Sequence, residues 1–295
     1  MTDQSICSVL ADVVELPVRG PAVRSLGLRL PPARMPLVHA RRPLKRWRYV
    51  GVYTCELMLC AGEARVAGVP QRWWAVALPD GTLAGRTTHA RRGLTLEPGR
   101  LSVRDRDAAG PVSIELSLEE PEPVEVVSPH GRSYIWTAKR APVAVRGLVS
   151  VGRRNFELDG EYGFVDDSAG YHARHTSWRW SAGVGLADDG RRVAWNLVEG
   201  VHDAPTASER TVWLEGEPIE VPRQRFAPDL SRVAADPSGT GGLRFEEWSR
   251  REHSARLGLV RSSYRQPFGE FSGELPGGLR LAEGFGVMES HEVWW

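Results

Sequence analysis

From Leu44 onward the chain alternates between apolar and polar residues with a period of two. Val112, Ile114, Leu116 and Leu118 are interleaved with Ser113, Glu115 and Ser117. Val143, Val145, Val149 and Val151 fall on one face of their segment, as do Trp178, Trp180, Ala182, Val184 and Leu186, and Val193, Trp195, Leu197 and Val201, in theirs. Successive side chains of a strand point to opposite faces, so this alternation marks strands with one buried side. Asp80-Gly81 and Asp189-Gly190 separate such runs and read as tight hairpins, with Glu215-Gly216 a weaker turn signal. Helical periodicity is scarce. Residues 229–235 suggest one or two turns at most, and 246–256 fit either kind of element.

The pattern predicts an all-β protein. Many strands with regular turns favour closed or sandwiched antiparallel sheets, because closure removes exposed edges. The strand-rich region is too long for one eight-stranded barrel. Two antiparallel β-barrel or sandwich halves in tandem are therefore expected, with one large sandwich as the alternative. The expected division is an extended Pro- and Arg-rich lead-in at 1–43, an N-terminal half at 44–141 and a C-terminal half at 142–295, joined near Pro142. A short internal echo supports two halves. Residues Trp47-Arg48-Tyr49-Val50-Gly51-Val52 and Trp178-Arg179-Trp180-Ser181-Ala182-Gly183 each open a strand that is followed by an Asp-Gly hairpin.

Composition narrows the function classes. Lys+Arg number 38 against 37 for Asp+Glu, a balance that supplies no global field for nucleic acid or an acidic membrane. Lys occurs only at Lys45 and Lys139 and Asn only at Asn155 and Asn196, so the Arg excess reads as codon bias rather than as a partner signal. No apolar run is long enough for a transmembrane helix. Without a basic n-region at the start, a cytoplasmic location is expected. Cys7, Cys55 and Cys60 form no metal spacing and are expected as buried free thiols.

The stretch 279–295 carries most of the candidate chemistry. Its odd positions, Leu279, Leu281, Glu283, Phe285, Val287, Glu289, His291, Val293 and Trp295, share one face of a regular strand. Carboxylates on so apolar a face are costly unless paired, so they mark the polar floor of a pocket. Glu289 and His291 form a candidate acid/base pair if their surroundings raise the carboxyl pKa. A bulge at Gly284-Phe285-Gly286 would instead exchange the faces and send both to solvent. Glu199 shares a face with Trp195 and Leu197 and is a second candidate acid, or else a structural group tied to a loop backbone. The stretch 161–180 is densest in polar side chains, with Asp166, Asp167, Tyr171, His172, Arg174, His175 and Thr176, and is expected to form a pocket rim. His172 and His175 diverge on a strand and lack Cys or Glu partners, so no metal site is expected. There is no phosphate loop, nucleophile elbow or dinucleotide fingerprint, and hence no expected cofactor.

The ordered set Asp167, Gly170-Tyr171, Arg174-His175-Thr176, Trp178-Arg179-Trp180 and Trp195-Asn196-Leu197-Val198-Glu199-Gly200 resembles the DUF2804 family of bacterial and fungal proteins. Val212-Trp213-Leu214-Glu215-Gly216, Gln266-Pro267-Phe268-Gly269 and Gly286-Val287-Met288-Glu289-Ser290-His291 extend the resemblance, and Lys45-Arg46-Trp47-Arg48-Tyr49 fits more loosely. It spans roughly residues 40–295. Glu209-Arg210 departs from it, where the family tends to show Glu-Asn. The resemblance implies an architecture similar to tandem lipocalin-like proteins that include carotenoid hydratases and related cyclases; it implies no particular activity. Two functions compete: acid/base chemistry on an apolar small molecule inside a barrel, or noncatalytic carriage of a lipid or pigment. A protein-binding scaffold is a third. In the first, Glu199, Glu289 and His291 are the catalytic groups, and Trp178, Trp180 and Trp195 form the wall. Asp167, Tyr171, Arg174, Asn196 and Glu283 are further substrate-binding candidates.

Overall fold

The computed structural model describes residues 16–66, 68–89, 93–235, 241–257 and 260–295. Cys7 lies outside them. The described chain is almost entirely antiparallel β structure, with one short 3-10 helix at Gly20–Ser25.

Two large sheets follow one another along the chain. The first has eleven strands, whose main path runs Leu83–Thr88, Val69–Ala77, Met58–Val66, Lys45–Tyr53, Arg154–Gly170, Ser133–Val151, Gly110–Glu119, Arg100–Asp107 and Leu94–Glu97. Val124–His130 pairs with the N-terminal part of Ser133–Val151 and takes Val18–Arg19 on its other edge. The second sheet has nine strands, in the order Glu217–Glu220, Thr211–Leu214, Arg192–Glu199, His175–Ala187, Leu279–Trp294, Val260–Leu275, Leu243–Leu257, Arg232–Ala235 and Gln224–Phe226. The wiring repeats. In each sheet four strands follow by hairpins, and the first of them pairs with a long strand from the end of that half. Lys45–Tyr53 thus corresponds to His175–Ala187, and Arg154–Gly170 to Leu279–Trp294.

The predicted tandem of β halves is what forms, but the changeover lies elsewhere. The Ser133–Val151 strand runs straight through the expected joint at 141/142, and the chain passes between sheets over residues 171–174. Pro142 does not end the strand because it sits in an irregularity between Arg140 and Val143, where no ladder donor is needed. The region 246–256 is strand throughout, and a bulge between Glu247 and Ser249 broke its alternation. Residues 229–235 form a turn and the Arg232–Ala235 strand rather than helix. Cys55 is exposed in a loop, whereas Cys60 is buried.

Apolar packing falls into separate cores. Val112, Ile114, Leu116, Leu118, Val143, Val145, Val149 and Val151 fill the interior of the first sheet. Val193, Trp195, Leu197, Phe271 and Met288 fill that of the second. A further core, including Tyr49, Tyr53, Phe164, Trp180, Trp213, Phe268 and Val287, lies in the seam between the halves. At about 2 kcal/mol for each fully buried apolar side chain, the seam is a structural core and not a loose domain contact. The lead-in wraps the first half, packing Val23, Leu30, Met35 and Leu44 against Trp136 and Tyr171.

The echo noted in the sequence is a contact in space. Trp47 stacks on Trp178 at 6.4 Å, and Tyr49 meets Trp180 edge-on at 5.5 Å. Equivalent residues of the two halves therefore face each other across the seam.

Candidate functional site

The polar residues of interest gather in this seam. In the C-terminal strand a bulge places Leu281 opposite Ala187 while Glu283 pairs with Leu186. Leu279 and Leu281 consequently pack with the interior of the second half, and Phe285 and Val287 pack in the seam. Glu289, further along, also faces the seam. It is 9% exposed and accepts hydrogen bonds from Trp178 Nε1 at 2.8 Å and from Gln266 Nε2 at 3.1 Å. Burial pushes its carboxyl up to about 7, even though the Trp178 and Tyr264 side chains favour the charged form. The Asp166 charge adds to the rise.

His291 is half-buried on the far side of Trp178, at 4.4 Å between rings, and its Nε2 is 2.9 Å from Ser262 Oγ. Burial holds its pKa down to about 4, with His253 adding to the effect, so the imidazole is neutral. Glu289 and His291 flank the same indole, and no hydrogen bond joins them among the described residues.

Asp166 is the counterpart of Glu289 in the first half. It lies opposite Tyr49 as Glu289 lies opposite Trp180. Burial raises it to about 6, against the pull of Lys139 Nζ at 2.6 Å. Lys139 also pairs with Glu209 at 3.5 Å. Its own burial works against the charge, but the two carboxylates outweigh it and raise the ammonium pKa. Ser128, Thr137 and Ser168 neighbour this group on the same face of the sheet, and their hydroxyls are buried without hydrogen-bond partners in the described protein. His202 feels the Lys139 charge and His172 feels His202, and both are kept neutral chiefly by burial. These side chains do not converge on a point: among the described residues no three His, Cys, Asp or Glu could hold a metal ion.

A row of paired positions leads away from this cluster across the sheet: Lys139, Asp166, Tyr49, Gly62, Trp73 and Thr87. Gly62 is required there, because a Cβ would lie 2.2 Å from Trp73 Cζ2, and the bare backbone lets the indole lie flat. The row ends in an open cleft of about 300 Å³ lined by Arg86 and Thr87 from the first half and by Arg251, His253 and Tyr264 from the second. Tyr264 also contacts His291 at 5.2 Å between rings and interacts with the Glu289 carboxyl. Solvent thus reaches the edge of the Glu289 environment from this end.

Of the sequence-selected residues, Glu289, His291, Trp178 and Trp180 come together in the seam. Trp180 Nε1 donates to Asn196 Oδ1 at 2.7 Å, and Asn196 Nδ2 donates to the Glu209 carbonyl at 2.8 Å, so Asn196 braces the Lys139 cluster. Trp195 points the other way. It is fully buried inside the second half against Phe271, because its neighbours on that face are Ser181 and Gly183. The three tryptophans therefore do not form one wall. Glu199 accepts from the Phe226 backbone N–H at 3.2 Å and pairs with Arg179 at 3.3 Å, away from Glu289. Asp167 points to the opposite face from Asp166 and pairs with Arg48 and Arg140 at 2.6 and 2.8 Å. The Tyr171 hydroxyl donates to the Pro36 carbonyl at 2.8 Å and fastens the lead-in. Arg174 and Glu283 are exposed, Glu283 because it lies at the open end of the seam face, opposite the exposed Leu186. The barrel-interior pocket is corrected too: both interiors are filled by side chains, and the candidate residues that come together do so between them. Lys139, Gln266, Arg251 and Tyr264 were not among the sequence candidates, and Asp166 figured only as part of the expected rim at 161–180. Aligning the echo and following each strand to its partner would have marked Asp166 as the counterpart of Glu289.

No helix among the described residues is long and apolar enough to cross a membrane. The profile of a domain of unknown function, DUF2804, matches residues 76–295. Among curated proteins none matches significantly. The crystal structure of "a putative AttH" from Nitrosomonas europaea superposes with a TM-score of 0.51 at 14% identity, covering 90% of this chain and 98% of that one. Kievitone hydratase from Nectria haematococca follows at a TM-score of 0.47 and 9% identity, covering 88% and 93%. CghA with Sch210972 gives 0.41 and 9%, covering 85% and 88%. At these identities the likeness to the first is one of fold, with both halves included.

Proposed function

Because the chain belongs to the DUF2804 family, whose description assigns no activity, its chemistry must be read from the seam, and we propose that the protein binds a small molecule with an apolar body there and exchanges a proton with it through Glu289. The carrying observation is the position of Glu289: a buried carboxyl between the halves, lifted to about 7 by burial. A general acid or base works best when its pKa lies near the operating pH. Addition of water to a double bond is one fitting reaction. The Glu289 proton would add to one carbon and water to the other, and the water's surplus proton would pass to the Asp166 carboxylate. In a cyclisation, a nucleophile of the same molecule replaces the water. Trp178 and Tyr264 offer aromatic faces to the substrate and keep the carboxyl poorly hydrated.

One observation favours noncatalytic carriage instead. Both Glu289 oxygens already accept hydrogen bonds from the protein, as a structural carboxyl would. A single experiment separates the readings. The wild-type protein and Glu289→Gln are incubated with small-molecule extract of the source cells, and mass spectrometry follows species that vanish or gain the mass of water. Catalysis requires a species consumed by the wild type and spared by the variant. Equal consumption by both removes Glu289 as the proton donor; a species bound by both and changed by neither establishes the carrier.

A further inference from the structure

The cleft contains a cation that no carboxylate of the described residues touches, although the more distant Glu289 carboxyl acts on it through space. Arg251 lines it, and its guanidinium lies 5.9 Å from the Trp73 ring centroid and 5.5 Å from that of Tyr264. Its polar contacts are long and neutral: Nη1 is 3.4 Å from Gln266 Oε1 and 3.8 Å from Cys60 Sγ, and Nη2 is 3.5 Å from Thr87 Oγ1. The other arginines of the cleft are already paired. Arg86 pairs with Asp105, Arg250 pairs with Glu247 and Glu252, and Asp107 accepts the backbone N–H groups of Gly85 and Ala109. No carboxylate of the described residues comes within ion-pair distance of Arg251. A planar guanidinium between two rings, its terminal donors held only by long contacts to neutral groups, is suited to a planar oxyanion attached to an apolar or aromatic body.

We propose that Arg251 anchors the carboxylate of a small organic acid in this cleft, with the body of the acid against Trp73 and Tyr264 and directed toward Glu289. The inference rests on the reading of the seam as a ligand site, but not on proton transfer by Glu289. It narrows the substrate class from apolar molecules in general to apolar acids. The cleft volume of about 300 Å³ is at the lower end of ligand pockets and suits a molecule of the size of cinnamate.

The test compares cinnamate and octanoate with their neutral amides by titration calorimetry, on the wild type, Arg251→Met, Arg251→Lys and Glu289→Gln. Arg251→Met keeps an apolar stem over the rings and loses only the charge. The expected result is that the wild type binds each acid roughly ten- to a hundredfold more tightly than its amide, the worth of one charge-assisted contact. Arg251→Met should bind acid and amide alike, Arg251→Lys should keep part of the preference, and Glu289→Gln should keep all of it. Equal binding of acid and amide by the wild type, a preference that survives in Arg251→Met, or no saturable binding of either acid would overturn the anchor. Unaltered turnover by Glu289→Gln, with the acid preference intact, would remove the proton donor and leave the anchor standing.

Discussion

Replacing Glu289 by Gln should change how stability depends on pH before any substrate is known. Burial raises the carboxyl from 4.5 to about 7. The folded state therefore holds this proton more tightly than the unfolded state does. Stability is unpenalised below the unfolded pKa, falls as pH rises from about 4.5 to about 7, and stays lowered above that. At 1.36 kcal/mol per pH unit, the carboxylate costs the fold about 3 kcal/mol once it is ionised. Gln cannot ionise. It can still accept the Trp178 N–H, but its amide cannot accept from Gln266 Nε2 as well, a loss of about 1 kcal/mol. The variant should be slightly less stable than the wild type at about pH 4.5 and more stable by about 2 kcal/mol at about pH 8. Urea unfolding at both pH values measures the crossing directly. If the difference between variant and wild type is the same at both, the carboxyl is not perturbed and its assignment as a proton donor near neutrality loses its basis.

Lys139→Met would leave Asp166 and Glu209 buried without their cation, and should cost about 3–5 kcal/mol near neutrality. Without the ammonium Asp166 should keep its proton above the wild-type value of about 6, so the loss should shrink as pH falls toward about 6 and level off below it; equal losses in urea unfolding at about pH 8 and about pH 6 would mean that packing is responsible. Trp178→Phe removes a hydrogen bond that favours ionised Glu289, so its pKa should rise further. If Glu289 acts as an acid, the alkaline limb of the pH–rate profile should move upward in pH, and an unmoved limb would mean that another group sets it.

Period-two alternation made the all-β class legible because almost every strand buries one face, as Val112 through Leu118 do. The seam was less legible because both faces of the strands around it are buried. Trp195 and Asn196 are each fully covered, one by its own half and the other by the seam, and hydropathy cannot tell these coverings apart. Asp166 and Asp167 are adjacent acids of identical composition. Only the pairing register shows that the first faces Lys139 and the second Arg48 and Arg140. The bulge before Phe285 was anticipated close to its true place, but its effect depends on what lies opposite. It turned Leu279 and Leu281 into the second half and kept Glu283 and Glu289 on one seam-facing side, Glu283 at its exposed end and Glu289 in its buried part.

Where Trp47 meets Trp178 and Tyr49 meets Trp180, like meets like, as at the interface of a homodimer. A true homodimer would have to carry the same acid, with the same neighbour, on both sides of such a contact. Two halves in one chain are free of that obligation. One acid here is held by the ammonium of Lys139 and the other by the amide of Gln266 and the indole of Trp178. The covalent link between the halves thus permits a division of labour between two matched carboxyls that symmetry would forbid.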